Sequence, residues 1–294
     1  MMSGDPAELM RKVERDWHPG ETTERDAMAA APVAGLSAVY DLAEPVAREG
    51  DPLPLLWHWL YFLEWPRQSA LGEDGHPAAG HFLPPLPQRR RMFAGGRLRI
   101  ESPLIIGREA VRTSRLGPVR AKRGRSGDIL FVTVVSEFAQ GGEVRVVEEQ
   151  DIVYRIGDGR PPVAGPDLDL TSRPKADEEW QLALRPGAEE LFRVSALTAN
   201  THRIHYDQPY VTGVEGYPGL VVHGPLLALT MLELCRREAP GRPLRSYAYR
   251  LRKPVFAGEH LLACGEPAGD GSGARLRVAT VRDGEHATGE AVFG

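Results

Sequence analysis

The chain has 294 residues, a length suited to one large domain or two of ordinary size. Hydrophobic residues make up 42%, enough for a real core, and a formal net charge of −4 removes any bulk electrostatic case for nucleic acid. No apolar run approaches the roughly 18 residues a membrane-spanning helix needs, and the polar start, Met1 to Asp16, has no signal-peptide core. Two cysteines, Cys235 and Cys264, exclude a disulfide scaffold and a cysteine-rich zinc site. Both read as small buried hydrophobes in a reduced, cytoplasmic protein.

Residues 1–30 read as a polar extension with a short frayed helix. A first domain is expected over 31–156. After the turn Asp51–Pro54, the apolar run Leu55 to Leu63 predicts a buried helix near 54–65, with Pro52 and Pro54 where a helix start tolerates them. Trp57, Trp59 and Trp65 fall on it and read as core. Residues 66–92 are rich in glycine and proline and read as loop. Strands are expected near 95–103, 107–122, 128–139 and 143–156, the third being strongly β-branched. Residues 157–187 read as a linker and the best domain boundary.

The second domain, 188–294, repeats the plan. Glu190-Leu-Phe-Arg-Val-Ser195 looks strand-like, Pro225 to Cys235 predicts a helix, and strands follow near 243–256, 259–267, 274–282 and 285–293. The order helix, Arg-Leu-Arg strand, Pro-x-x-x-Gly turn and meander occurs in both halves, which points to a duplication. A helix apolar nearly all round needs cover on every side. An antiparallel sheet curled around it supplies that cover, and two such units side by side hide two sheet edges. The expected fold is therefore α+β, a double hot-dog.

The densest polar segment is Thr198-Ala-Asn200-Thr-His202-Arg-Ile-His205-Tyr-Asp207, followed by His223-Gly224-Pro225 at the second helix start. A glycine N–H there lies at the positive end of the helix dipole and can hold a developing oxyanion. Taken alone, His205 reads as a core histidine. Its spacing to Gly224 turns the reading toward catalysis. Asp207 reads as a loop brace and His202 as structural, while His223 shapes the turn or contacts substrate. His58, His76 and His81 with Asp74 match no metal-ligand spacing, so no metal is expected. Arg89-Arg90-Arg91 fits either a solvated loop cluster or a grip on phosphates.

The motif Asn200-x-His202-Arg203-Ile204-His205-Tyr206-Asp207 with His223-Gly224 resembles the MaoC-like, or type 2, enoyl-CoA hydratases. It is most similar to the branch of hydroxyacyl-thioester dehydratases of type 2 and mesaconyl- and itaconyl-CoA hydratases. Pro54 to Trp59 and Leu83 to Gly96 share in the likeness, which runs from about 30 to 294. The resemblance implies a catalytic His205 and a carbonyl-binding Gly224. It also places Asn200 where many members carry a catalytic aspartate. Asn cannot act as a base, so here it would hold the water. The resemblance implies acyl-CoA as substrate and no separate cofactor, since the thioester is the electron sink; Arg89, Arg90 and Arg91, as forks suited to phosphate, and His223 are the candidate substrate contacts. The first domain lacks such a motif and is expected to be degenerate and non-catalytic. A homodimer is compatible with this reading. The alternatives are a 3-hydroxyacyl-thioester dehydratase of fatty-acid synthesis, a hot-dog thioesterase and a non-catalytic acyl-thioester binding module. For the thioesterase, a carboxylate is lacking beside Gly224.

Overall fold

The computed structural model describes residues 5–124, 127–157 and 167–294. Part of the stretch read as a linker lies outside the described residues. Its later part is described and holds a strand. Among the described residues the α-helices are α1 (Pro6–Asp16), α2 (Ala31–Val39), α3 (Ala188–Leu197), α4 (Gln208–Gly213) and α5 (Gly224–Glu238). The strands are β1 (Thr22–Asp26), β2 (Arg89–Ile100), β3 (Ala110–Gly124), β4 (Gly127–Gln140), β5 (Glu143–Ile156), β6 (Trp180–Leu184), β7 (Leu244–Leu251), β8 (Leu261–Pro267), β9 (Gly273–Thr280) and β10 (Asp283–Phe293).

The ten strands form one antiparallel sheet in the order β1-β3-β4-β5-β2-β7-β10-β9-β8-β6. Read outward from the β2–β7 seam, the two halves match strand for strand. This is the sheet of the expected double hot-dog, and the eight long strands fall close to the expected spans. At the seam Gly95 faces Arg250 and Gly96 faces Tyr249. A Cβ on Gly95 would stand 2.3 Å from the Tyr249 carbonyl oxygen, and its φ of +151° suits glycine. The seam therefore closes only because two glycines let the lobes approach.

Helix α5 has the pattern that demands enclosure: Leu226 to Cys235 are all buried. It packs on β6, β8, β9 and β10. The buried Glu233 near its end is neutralised by Arg236 and Arg237 at 2.6–2.7 Å. Truncating a core leucine such as Leu229 to alanine costs about 2–5 kcal/mol.

The first lobe differs from expectation. The predicted helix near 54–65 is a single 3-10 turn, Trp57–Leu60. Leu56 (φ 67°) and Phe62 (φ 54°) are left-handed and break helical backbone on both sides. The chain is instead pinned by the Leu53 N–H donating to Leu104 O at 2.7 Å and by a bridge between Pro52 and Ile105. Leu56, Trp57, Leu60, Tyr61 and Phe62 still join the main core and Trp59 packs against it, but Trp65, expected as core, is 72% exposed. A second core lies under α1, where Met10 and Val13 meet Leu130, Val132, Ile152 and Tyr154.

Candidate active site

The segment 190–195, expected as strand, is part of α3. Leu191, Val194 and Ser195 are buried at helical spacing, and the Glu190 carboxylate accepts the Gly187 N–H at 2.8 Å as a cap. The helix ends at Leu197, and the chain turns away through left-handed Ala199 (φ 49°), with the Asn200 N–H bonded to Ser195 O at 2.9 Å. Asn200 Oδ1 accepts the His202 N–H at 3.0 Å, so its carbonyl is spent on the loop. Its amide nitrogen has no acceptor among the described residues and remains a donor. Asp207 braces the turn as expected. Oδ1 caps α4 through the Tyr210 N–H (3.0 Å), and Oδ2 accepts Arg203 Nε (2.9 Å) and Nη2 (2.8 Å).

This scaffold seats His205 in a short 3-10 turn, Arg203–His205, with 6% of its surface exposed. Its Nδ1 lies 2.7 Å from Val221 O. A carbonyl can only accept, so Nδ1 carries the proton and Nε2 keeps its lone pair. Burial lowers the His205 pKa to about 4, against the Val221 bond, which raises it; the like charge of His76 lowers it further. The ring is thus a neutral acceptor at neutral pH, which a general base must be.

His223 stacks on His205 at 3.7 Å between centroids and 16° between planes. It caps the start of α5, and its Nε2 lies 2.9 Å from Ser195 Oγ. Burial pushes its pKa well down. Its buried Nδ1 has no partner among the described residues. Gly224 opens α5 beside this pair. Pro225 lacks an N–H, and among the described residues the Gly224 N–H has no acceptor. A Cβ on Gly224 would meet Leu251 Cδ1 at 2.5 Å. The structure therefore brings His205, His223 and Gly224 together, with Asn200 bonded to the residue that precedes the turn, His202.

The arginine run opens β2. Arg89 donates to Ala78 O, Arg90 pairs with Glu215, and Arg91 is exposed. Glu215 also accepts Tyr210 Oη at 3.1 Å, which ties the run to the segment after the motif.

Sequence spacing did not reveal what the first lobe sends across. The Gly72–His76 turn docks on the motif: Arg203 N–H donates to Asp74 O (2.9 Å), Arg203 Nη1 to Glu73 O (3.0 Å) and Thr201 Oγ1 to Gly75 O (2.5 Å). His76 lies over His202 at 4.0 Å, and His202 stands edge-on to His205 at 5.6 Å. The histidines grouped by sequence separate: His58 bonds buried Glu148 at 2.9 Å, and His81 bonds Gly20 O at 2.6 Å. Asp74, His76 and His202 instead place donor atoms within 4.8 Å of one another. The Asp74–Gly75 turn is the sole local signal of this contact.

The profile of the hydroxyacyl-thioester dehydratase type 2 family matches residues 56–257. A mesaconyl-C(4)-CoA hydratase of Chloroflexus aurantiacus is 42% identical over 250 residues, covering 85% of this chain and 87% of the relative. A mitochondrial hydroxyacyl-thioester dehydratase type 2 of Schizosaccharomyces pombe is 26% identical over 270 residues, covering 82% and 88%. Among solved structures, a MaoC-like dehydratase of Phytophthora capsici superposes with a TM-score of 0.69 at 13% identity, covering 97% and 98%. HtdX of Mycobacterium tuberculosis gives 0.62 at 17% identity, covering 92% and 98%. At such identities the solved structures speak for the fold, and the profile and the Chloroflexus relative speak for the family. The chain has the fold of the MaoC-like dehydratases it superposes on, and it belongs to the hydroxyacyl-thioester dehydratase type 2 family.

Proposed function

We propose that the protein is a hydro-lyase that adds water to an α,β-unsaturated acyl-CoA thioester, with a short branched dicarboxylic acyl group of the mesaconyl or itaconyl kind. The observation that carries the reaction is the free Nε2 of a buried, neutral His205 beside the N–H of Gly224 at the start of α5. The 42% identity to a mesaconyl-C(4)-CoA hydratase supports the acyl group.

In the hydration direction His205 Nε2 takes a proton from water while the oxygen bonds to the β-carbon. The Asn200 amide N–H holds that water. The thioester oxygen gains charge and is met by the Gly224 N–H and the dipole of α5. The proton held on His205 is then delivered to the α-carbon, the thioester re-forms, and the ring is neutral again. Every group is unchanged in the reverse elimination. The thioester is the electron sink, so this route calls for no separate cofactor. In this reading Arg89, Arg90 and Arg91 grip the phosphates of coenzyme A, and His223 contacts the acyl end. A cytoplasmic location and a homodimer go with this reading.

The type 2 dehydratase of fatty-acid synthesis is the second reading, favoured by the family profile and the yeast relative. Initial rates on mesaconyl-, itaconyl-, crotonyl- and 3-hydroxyacyl-CoA esters separate the two. The proposal expects the carboxylated esters to have the highest kcat/KM. A preference for long-chain 3-hydroxyacyl esters would replace it. Binding of every ester without turnover would make the protein a binding module.

A further inference from the structure

Linear spacing groups Asp74 with His58, His76 and His81 and gives no metal pattern, because the third donor comes from the other lobe. His202 of the motif lies across the docked turn. Asp74, His76 and His202 each place one donor atom within 4.8 Å of the others. We propose that these three side chains form a divalent transition-metal site, with zinc as the fitting ion, that fastens the first-lobe turn onto the motif beside His205. The site is independent of the hydratase chemistry, whose steps use none of the three.

The scaffold stands without an ion. Arg203 N–H on Asp74 O, Arg203 Nη1 on Glu73 O and Thr201 Oγ1 on Gly75 O hold the turn to the motif, and none of these bonds uses the side chain of Asp74 or His76. Within the turn the Gly72 N–H donates to His76 O at 2.7 Å. Gly75, at φ +87°, is seated so closely that a Cβ would stand 2.0 Å from Thr201 O. The backbone alone therefore fixes the two donors of the turn against the motif, which is the preorganisation a metal site needs.

Asp74 and His76 are paired at a separation that suits one ion. Asp74 Oδ1 accepts the His76 backbone N–H and Oδ2 accepts His76 Nδ1, each at 3.0 Å. Ligand atoms about 2.0–2.2 Å from one zinc ion stand roughly 3.0–3.5 Å apart. The ion takes the place of the proton between Nδ1 and Oδ2, and that proton leaves to solvent. Oδ1 keeps its backbone bond and goes on orienting the carboxylate. His202 supplies the third ligand. Its backbone N–H is held by Asn200 Oδ1 at 3.0 Å, while its half-buried ring has no hydrogen-bond partner among the described residues. The ring lies against His76 at 4.0 Å between centroids, and no bond opposes its rotation toward an ion. A half-buried imidazole without a partner forfeits interactions that a metal restores. Two imidazoles and one carboxylate are a zinc donor set and serve the oxygen-seeking magnesium and calcium poorly. The side chains of Asp74 and His76 stay partly exposed, which gives an ion its way in.

The test titrates the chelator-treated, full-length protein with zinc chloride alone, by calorimetry. One ion per chain is expected, with Kd in the micromolar range or tighter. His76→Ala, His202→Ala and Asp74→Asn should each weaken binding at least about 10-fold, since loss of an outer-shell partner alone costs about 10- to 100-fold. His81→Ala, in the same loop but bonded to Gly20 O, should leave Kd unchanged. At about 100 times Kd, zinc should raise the Tm of the wild type by roughly 5 °C and that of His76→Ala far less. His76→Gln, read in the same two assays, stands in if the alanine variant does not fold. Cobalt(II) added in place of zinc should give visible absorption bands in the wild type that are lost in His202→Ala. Failure of zinc to bind the wild type would overturn the site, and so would equal affinity in the variants at positions 74, 76 and 202. Magnesium binding as tightly as zinc would also overturn it, because it would mark an exposed carboxylate rather than this donor set. None of these results bears on the hydratase reading, which stands or falls with the activity of His205→Ala.

Discussion

The titration of His205 links catalysis to stability and can be measured in both. The folded ring has its pKa lowered from 6.5 to about 4 by burial. A lowered pKa means that the unfolded chain binds the proton more readily, so the stability is present above pH 6.5 and is lost as pH falls toward 4. Between pH 7.5 and pH 5 a shift of this size removes about 2 kcal/mol. Urea unfolding of wild type and His205→Gln at the two pH values isolates the effect, because His202, His223 and the carboxylates titrate in both proteins. The wild type should lose about 2 kcal/mol more than the variant on acidification. The same ring predicts kcat/KM with no limb at pH 6.5 from this residue, and a fall from it only as pH approaches 4. Equal acid sensitivity in the two proteins, or a histidine limb at 6.5 that vanishes with His205, would refute the argument that the ring is held neutral by its surroundings.

Replacing His205 with alanine should lower kcat about 10² to 10⁴-fold with KM little changed, read by steady-state kinetics on an enoyl-CoA ester. Asn200→Ala should also slow turnover, and Asn200→Asp is the sharper variant. Aspartate keeps an acceptor for the His202 N–H but loses the amide donor, so activity near the alanine level shows that donation to water matters. Changing Arg89, Arg90 and Arg91 together to glutamine should raise KM for CoA esters most at low salt, where screening is weakest; an unchanged KM at low salt leaves the run as a surface feature. Glu148→Gln should cost about 3–5 kcal/mol in urea unfolding, because it leaves buried His58 without its ionic partner.

The sheet was largely legible because its signals are local. The run Ile129 to Val135 is β-branched, and β7 alternates so that Tyr247 and Tyr249 face inward between exposed neighbours. The two edge strands escaped for the same reason. Thr22–Asp26 carries no apolar side chain, and Trp180–Leu184 follows a proline-rich stretch. Segment 190–195 was misread because six residues show too little of a 3.6 period. Its true signal was Glu190 placed three residues after Gly187. The run 55–63 was misread because enclosure and helix look alike in composition, and the left-handed Leu56 and Phe62 are set by packing. The segment around His205 and the start of α5 were legible because few residues separate them. The first-lobe turn was not, because Gly75 and Thr201 meet across 126 positions of sequence.

The two lobes share a sheet but fill it by different physics. Helix α5 satisfies its own backbone and can be packed by apolar side chains alone. The chain at the matching place in the first lobe is irregular, so its polar groups need outside partners. The 104–105 turn meets it through Leu104 O and the Pro52 bridge, and Gln140 holds that turn by accepting the Ile105 N–H and donating to the Ile105 and Arg108 carbonyls. Glu148 takes both His58 and Trp59, at 2.9 and 2.8 Å. Its carboxylate stays ionised because the charge and hydrogen bond of His58, with bonds from Gln150 and Trp59, outweigh the cost of burial. Directional bonds of this kind hold one geometry where apolar packing tolerates several. The irregular stretch also leads directly into the loop that carries Gly75 to the second lobe. A lobe without a motif of its own can therefore still set the geometry at His205, since a shift in its interior moves the turn that presses on Thr201 and Arg203.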